Sequence, residues 1–234
     1  MKNPSIDPLR YWRMVLLTLS CSAFILSGSL SAAEDKEKAN IVPMPATERV
    51  TRLLNDLRSF DAKFTQKIYD ERQRLLNENQ GRFQLSRPNQ FRWEIISPFH
   101  ELLIAKDKEL WVIDYDLEQV TRQNLGESLG DTPALLLSQA NANVEKNFQV
   151  KYIGSDEDGR EIYKLTPKDK GSMFESMTLT FRKESLLELW LKDGIGQTTL
   201  VNFYESKINQ PIASETFEFV PNKSMDIIDA REKP

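Results

Sequence analysis

The sequence predicts a mainly β domain, with about ten short strands in antiparallel order and two helices inserted among them. Three observations carry this. From Phe60 the apolar period is two, with Phe60, Ala62, Phe64, Gln66 and Ile68 on one face. Strand-length apolar segments then recur to residue 220, separated by turn signals such as Asp107-Lys108 and Asp193-Gly194. Only two stretches carry helix signals, one before Ser59 and one after Asp131. Strands at this spacing suggest one sandwich or barrel. No composition break or internal repeat divides the chain of 234 residues, so a single domain is expected.

Taken in order, residues 1–33 read as a secretory signal. Lys2, Arg10 and Arg13 make a basic start, Met14 to Leu26 is an apolar run, and Ser31-Ala32-Ala33 fits small-residue cleavage before Glu34. The apolar run is short for a membrane span. Cys21 raises the rival of an acylated lipoprotein, but Thr18 stands where a lipobox wants leucine. Cleavage would remove the single cysteine and leave an exported chain without disulfides, dependent on packing. Residues 34–45 are charged and then proline-punctuated, a flexible lead-in to one domain over 46–234.

Thr47 is placed to cap a helix whose Val50, Leu53, Leu54 and Leu57 repeat at helical spacing, and Ser59 ends it. Strands follow at Phe60 to Ile68, Gly81 to Leu85, Phe91 to Ile95, Leu102 to Ala105, Leu110 to Asp114 and, more weakly, Gln119 to Gln123. Asp131-Thr132-Pro133 starts a short helix over Ala134 to Ala140. Phe148 to Ile153, Ile162 to Thr166, Met177 to Phe181, Leu186 to Lys192, Ile195 to Tyr204 and Thr216 to Val220 complete the strands.

Composition excludes several classes. With 31 basic and 35 acidic residues, nucleic acid is not an expected partner. One cysteine and one histidine, His100, rule out Cys/His zinc sites and CxxC redox pairs, so no metal or cofactor is expected. Gly126 and Gly130 match no phosphate loop, and there is no G-x-S-x-G elbow. The carboxylate clusters Asp114/Asp116 and Asp156/Glu157/Asp158 read as turns, although a hydrolase using paired carboxylates is not removed by counting. The near-continuous apolar runs Leu102-Leu103-Ile104 and Leu186 to Leu191 want cover on both faces. Either a two-layer core or an apolar ligand under helices would supply it.

Four motifs combine more specifically. Phe60-Asp61-Ala62-Lys63-Phe64-Thr65-Gln66-Lys67, Gly81-Arg82-Phe83, Arg87-Pro88-Asn89-Gln90-Phe91-Arg92-Trp93 and Gly130-Asp131-Thr132-Pro133 together resemble the outer-membrane lipoprotein carrier protein (LolA) family. Leu165-Thr166-Pro167-Lys168 and Phe217-Glu218-Phe219-Val220-Pro221 follow in the family's order, so the resemblance runs from about Ala46 to Asp229. It implies an unclosed, strongly bent antiparallel barrel of about ten to eleven strands, covered by short helices over an apolar cavity. It implies a non-enzymatic periplasmic monomer. The carrier takes acylated lipoproteins from an inner-membrane ABC transporter and gives them to the outer-membrane receptor lipoprotein LolB. The LolB-like receptor itself and a generic lipid or fatty-acid shuttle are the alternatives.

By the same resemblance Arg87 latches the lid. Leu53, Leu54, Leu57, Phe64, Phe83, Phe91, Trp93, Leu135, Leu136, Leu137 and Trp190 would line the cavity. Ala134 departs from the bulkier lid residue common in the family, and the lead-in is longer than usual.

Overall fold

The computed structural model describes residues 44–125, 137 and 144–231. The expected signal segment, most of the lead-in and nearly all of the Ala134 to Ala140 helix therefore lie outside the described residues.

Helix α1 spans Ala46–Asp56. Val50, Leu53 and Leu54 make its buried face, and Leu57 closes the run. It starts one residue before the expected cap. Pro45 is the N-cap, no side chain caps the helix, and Thr47 sits inside the first turn. Proline's fixed φ suits a helix start, and the Arg49 N–H already reaches the Pro45 carbonyl at 2.9 Å.

Twelve strands follow among the described residues. They are β1 (Ser59–Tyr69), β2 (Leu75–Ser86), β3 (Gln90–Ser97), β4 (Glu101–Lys106), β5 (Glu109–Asp114), β6 (Gln119–Asn124), β7 (Phe148–Ser155), β8 (Arg160–Pro167), β9 (Phe174–Arg182), β10 (Ser185–Asp193), β11 (Thr198–Ile208) and β12 (Asp226–Asp229). A four-residue helix α2 (Val144–Asn147), not expected from the sequence, leads into β7. All twelve strands form one sheet in the order β12-β6-β5-β4-β3-β2-β1-β11-β10-β9-β8-β7. β12 and β7 are not paired with each other, so the sheet is unclosed. The pairing is antiparallel throughout except at β12, which runs parallel to β6.

The last expected strand is a correction. Thr216 to Val220 does not join the sheet. Ser214–Phe217 is a 3-10 turn, and Phe217 and Phe219 are apolar because they pack, not because they alternate in a ladder. The late strand is instead Asp226–Asp229, whose Ile227 and Ile228 side chains are exposed.

The sheet has two apolar faces. Phe60, Phe64, Phe83, Phe91, Trp93, Leu179, Phe181, Leu189 and Phe203 lie on the inner face and form one core with the apolar stripe of α1. On the outer face Leu102, Ile104, Ile113 and Val120 form a smaller core with Trp111, Tyr115, Phe219 and Met225. Leu102-Leu103-Ile104 is thus covered on both faces, as its continuous apolar run required. Asp229, Arg231, Glu109 and Arg122 tie β12 down by ion pairs, and the Arg122 guanidinium stacks over Trp111 at 4.4 Å.

Candidate functional site

The site is the inner face of the sheet, with α1 lying on it. The period-two pattern puts Phe64 opposite Gly81 and Phe83 opposite Trp93. Gly81 is needed there. A Cβ at this position would meet the Glu94 carbonyl oxygen at 1.9 Å and the Phe64 ring at 2.6 Å. The missing side chain lets the Phe64 ring cross the strand and stack on Trp93, with centroids 4.0 Å apart. Phe83 is tilted against Trp93 at 5.4 Å and Phe60 against Phe83 at 6.0 Å, and Phe203 meets both Phe60 and Phe83. The leucines of α1 fill the space against these rings, so the helix is the apolar occupant of the face it covers.

Arg87, in the turn between β2 and β3, holds the end of that helix. Its Nε donates to the Leu57 carbonyl at 2.7 Å, and its Nη2 donates to the carbonyls of Leu54 at 3.1 Å and Leu137 at 3.0 Å. Carbonyls in the last turn of a helix have no intrahelical partner, and a planar guanidinium can serve several at once. Burial pushes the Arg87 pKa below its ordinary value, yet arginine still carries its charge at any physiological pH. Its donors bind α1 and Leu137 to the sheet together.

The expected site residues divide as follows. Leu53, Leu54, Leu57, Phe64, Phe83, Phe91, Trp93 and Leu137 are all buried in the inner core. Leu135 and Leu136 lie outside the described residues. Trp190 is a correction. Strand alternation puts Leu189 and Leu191 inward and Trp190 on the outer face, 36% exposed, its indole N–H donating to Glu188 Oε1 at 2.9 Å. Leu179, Phe181, Leu189 and Phe203 belong to the inner face but were not singled out. Their alternation in Met177 to Phe181, Leu186 to Lys192 and Ile195 to Tyr204 was the signal.

The end of the sheet away from Arg87 is different in character. There the inner face carries a buried pair, Asn79 Nδ2 donating to Gln66 Oε1 at 2.9 Å, and the cross-strand carboxylates Glu101 and Asp114. Burial, with the Asp114 charge adding to it, raises the Glu101 pKa. Ile68, Met173, Phe174, Leu191 and Ile195 line an open groove of about 480 Å³ at this end. Nearby, the strand ends expose Leu75, Leu76 and Ile96, and the turns expose Phe99 and Leu117.

The acidic clusters are turn residues. Asp114 Oδ1 accepts the Leu117 N–H, Asp116 Oδ2 accepts the His100 N–H, and Asp156 Oδ1 accepts those of Asp158 and Arg160. His100 lies between β3 and β4, stacked on Tyr115 at 4.1 Å and in contact with Glu94.

With this geometry in hand, the comparisons with known proteins agree with one another. A family model described as "Outer membrane lipoprotein carrier protein LolA" matches residues 55–220. An outer-membrane lipoprotein carrier protein of Pseudomonas aeruginosa is 34% identical over 215 residues, which cover 92% of this chain and 98% of that relative. One of Coxiella burnetii is 31% identical over 217 residues, covering 92% and 97%. The crystal structure of an uncharacterized conserved protein from Thermus thermophilus shares the fold, with a TM-score of 0.50, 15% identity, and coverage of 78% of this chain and 96% of that one. The family match takes in the buried aromatic face and Arg87, and with relatives alike over nearly their whole length it establishes that this chain belongs to the outer-membrane lipoprotein carrier protein (LolA) family.

Proposed function

We propose that this protein is a periplasmic carrier of lipoproteins. It binds their acyl chains on the inner face of the sheet after the inner-membrane ABC transporter releases them, and it delivers them to the outer-membrane receptor LolB. Residues 1–33 are its export signal, and the carrier itself performs no covalent chemistry. The observation that carries this reading is the layer of α1 leucines seated on aromatic rings, held at one end by Arg87 rather than by a covalent link. Family membership supplies the class of cargo.

Physical chemistry favours such a device. Burying one CH₂ is worth about 0.8 kcal/mol, so an acyl chain of about fourteen CH₂ groups is worth roughly 11 kcal/mol. Two or three chains together would exceed the practical ceiling of about 18–21 kcal/mol for non-covalent affinity. A carrier must replace the membrane without trapping the cargo. In the closed protein α1 already buries the apolar face, so cargo gains only the difference between its own contacts and those of the helix. That competition lowers affinity enough for hand-over.

The test is release from spheroplasts. Purified protein is added to spheroplasts carrying a labelled lipoprotein, and soluble cargo is counted. Release of the acylated lipoprotein, and of it alone when a non-acylated version is offered beside it, is the expected result. Retention of the acylated form on the membrane at every protein concentration contradicts the carrier reading.

A further inference from the structure

The Arg87 bonds to α1 all lie at one end of the helix. Leu54 and Leu57 are within five residues of Ser59, where the chain enters β1. That end is the hinge, because the helix cannot leave the sheet there without pulling on β1. The other end begins at Ala46 and has no side-chain cap of its own. At a rise of 1.5 Å per residue, Arg49 sits about 12 Å along the axis from Leu57. Contacts near a hinge resist swinging with a short lever arm, so the free end needs a hold of its own.

Such a hold is present. Arg49 Nη2 donates to Glu161 Oε2 at 2.8 Å, and the Tyr163 hydroxyl donates to the other oxygen, Glu161 Oε1, at 3.1 Å. Glu161 and Tyr163 are on β8, five strands away from β2 in the sheet order. The Arg49 and Glu161 side chains are each 28% exposed, a more protected setting than that of a surface ion pair. Burial first, and the Glu161 bond after it, push the Tyr163 pKa up to about 12, so its hydroxyl stays a donor. An open groove of about 450 Å³, lined by Met44, Ala46, Arg49, Tyr152, Glu161 and Tyr163, lets water replace the pair when the helix lifts.

The position of Arg49 also runs against the helix itself. A cation near a helix N-terminus opposes the macrodipole, which Glu48 beside it in the first turn favours. Its partner lies across the sheet.

We infer that Arg49, Glu161 and Tyr163 form a second tether, at the free end of α1, that sets how readily the helix swings off the inner face and so how fast cargo enters and leaves. The inference rests on the carrier reading only for its second half. Arg49 and Glu161 are positioning residues: they act on cargo through the helix.

The test uses purified protein carrying Arg49→Glu, Glu161→Arg, or both. Two quantities are read: amide exchange at Val50 to Leu54, and uptake of a fluorescent dipalmitoyl lipopeptide. Each single reversal is expected to raise α1 exchange about tenfold, the effect of losing one charge-assisted hydrogen bond of moderate strength. Amides of β1 to β3 stay unchanged, and uptake quickens by a similar factor. The double reversal restores both to within about threefold. Arg49→Glu places an acid where the macrodipole favours one, so faster exchange in that variant cannot come from a weakened helix. Exchange within twofold of the parent in both single variants overturns the tether, as does a double variant no better than the singles. If exchange follows expectation but no protein, the parent included, takes up the lipopeptide, the tether stands and the carrier reading fails.

Discussion

Replacing Arg87 by leucine removes the donors to the carbonyls of Leu54, Leu57 and Leu137 while keeping an apolar stem. A hydrogen bond to a charged group contributes about 1.5–3 kcal/mol, and less where water can take over the acceptor. The two α1 acceptors lie at a helix end that water reaches on opening, so a total of about 2–3 kcal/mol is a fair magnitude for the loss. That shifts the closed-to-open equilibrium about 30- to 160-fold. Since cargo competes with α1 for one face, its apparent affinity rises by the same factor. Arg87→Leu is therefore expected to load a diacylated lipoprotein and to hand it on poorly, with amide exchange at Leu53 to Leu57 faster by at least thirtyfold. Arg87→Lys keeps the charge but not the fork, and falls between. Unchanged exchange in α1, or normal delivery by Arg87→Leu, refutes the reasoning.

Three further outcomes follow from the same face. Gly81→Ala must displace both the Glu94 carbonyl and the Phe64 ring, and is expected to cost about 1–3 kcal/mol in urea unfolding; a neutral result would mean that strand and ring both yield freely and that the close approach is not needed. Trp93→Ala is expected to cost about 3–5 kcal/mol, whereas Trp190→Ala, on the outer face, leaves lipopeptide uptake within twofold of the parent. Glu101, raised by burial and by Asp114, binds its proton more tightly in the folded protein, so its effect on stability is nil well below pH 4 and becomes unfavourable as pH rises through its folded pKa. Glu101→Gln should then stabilise at pH 7 by about 0.2–1 kcal/mol, the size of a like-charge cross-strand pair, and not at pH 3.5; equal effects at both values count against it.

The inner face was legible because strands that bury one face write it at period two. Phe60 to Ile68 and Phe91 to Ile95 read directly, and the structure extends them by a residue or two. Leu75 to Gln80 of β2 was not legible. Apart from the buried Asn79 its side chains are exposed, and the ladder with β1 is made by backbone bonds that leave no apolar trace. β12 is the same case. Ile227 and Ile228, on opposite faces of the strand, are both exposed, and only a parallel backbone pairing with β6 makes it a strand. Thr216 to Val220 misled in the opposite direction, since two phenylalanines two residues apart can also belong to a loop, with Phe217 buried and Phe219 packing on Trp111 and Tyr115. Trp190 was assigned by resemblance against its parity, and parity prevailed. Arg87 came from its motif alone, because its partners are carbonyls, which any sequence supplies. The Arg49–Glu161 pair joins residues 112 positions apart and had no local signal.

The central claim is that cargo displaces α1 from the inner face. Residues 34–234 contain no cysteine, so in protein without the export signal spin labels can be placed cleanly at Glu48→Cys, exposed at the free end of α1, and at Lys164→Cys, exposed on β8. The distance between them is measured by pulsed electron resonance before and after loading with a diacylated lipopeptide. The account predicts one short distance in the empty protein and a longer one on loading, present already in part in Arg87→Leu. A distance that stays the same while lipopeptide is demonstrably bound would place the cargo elsewhere and contradict it.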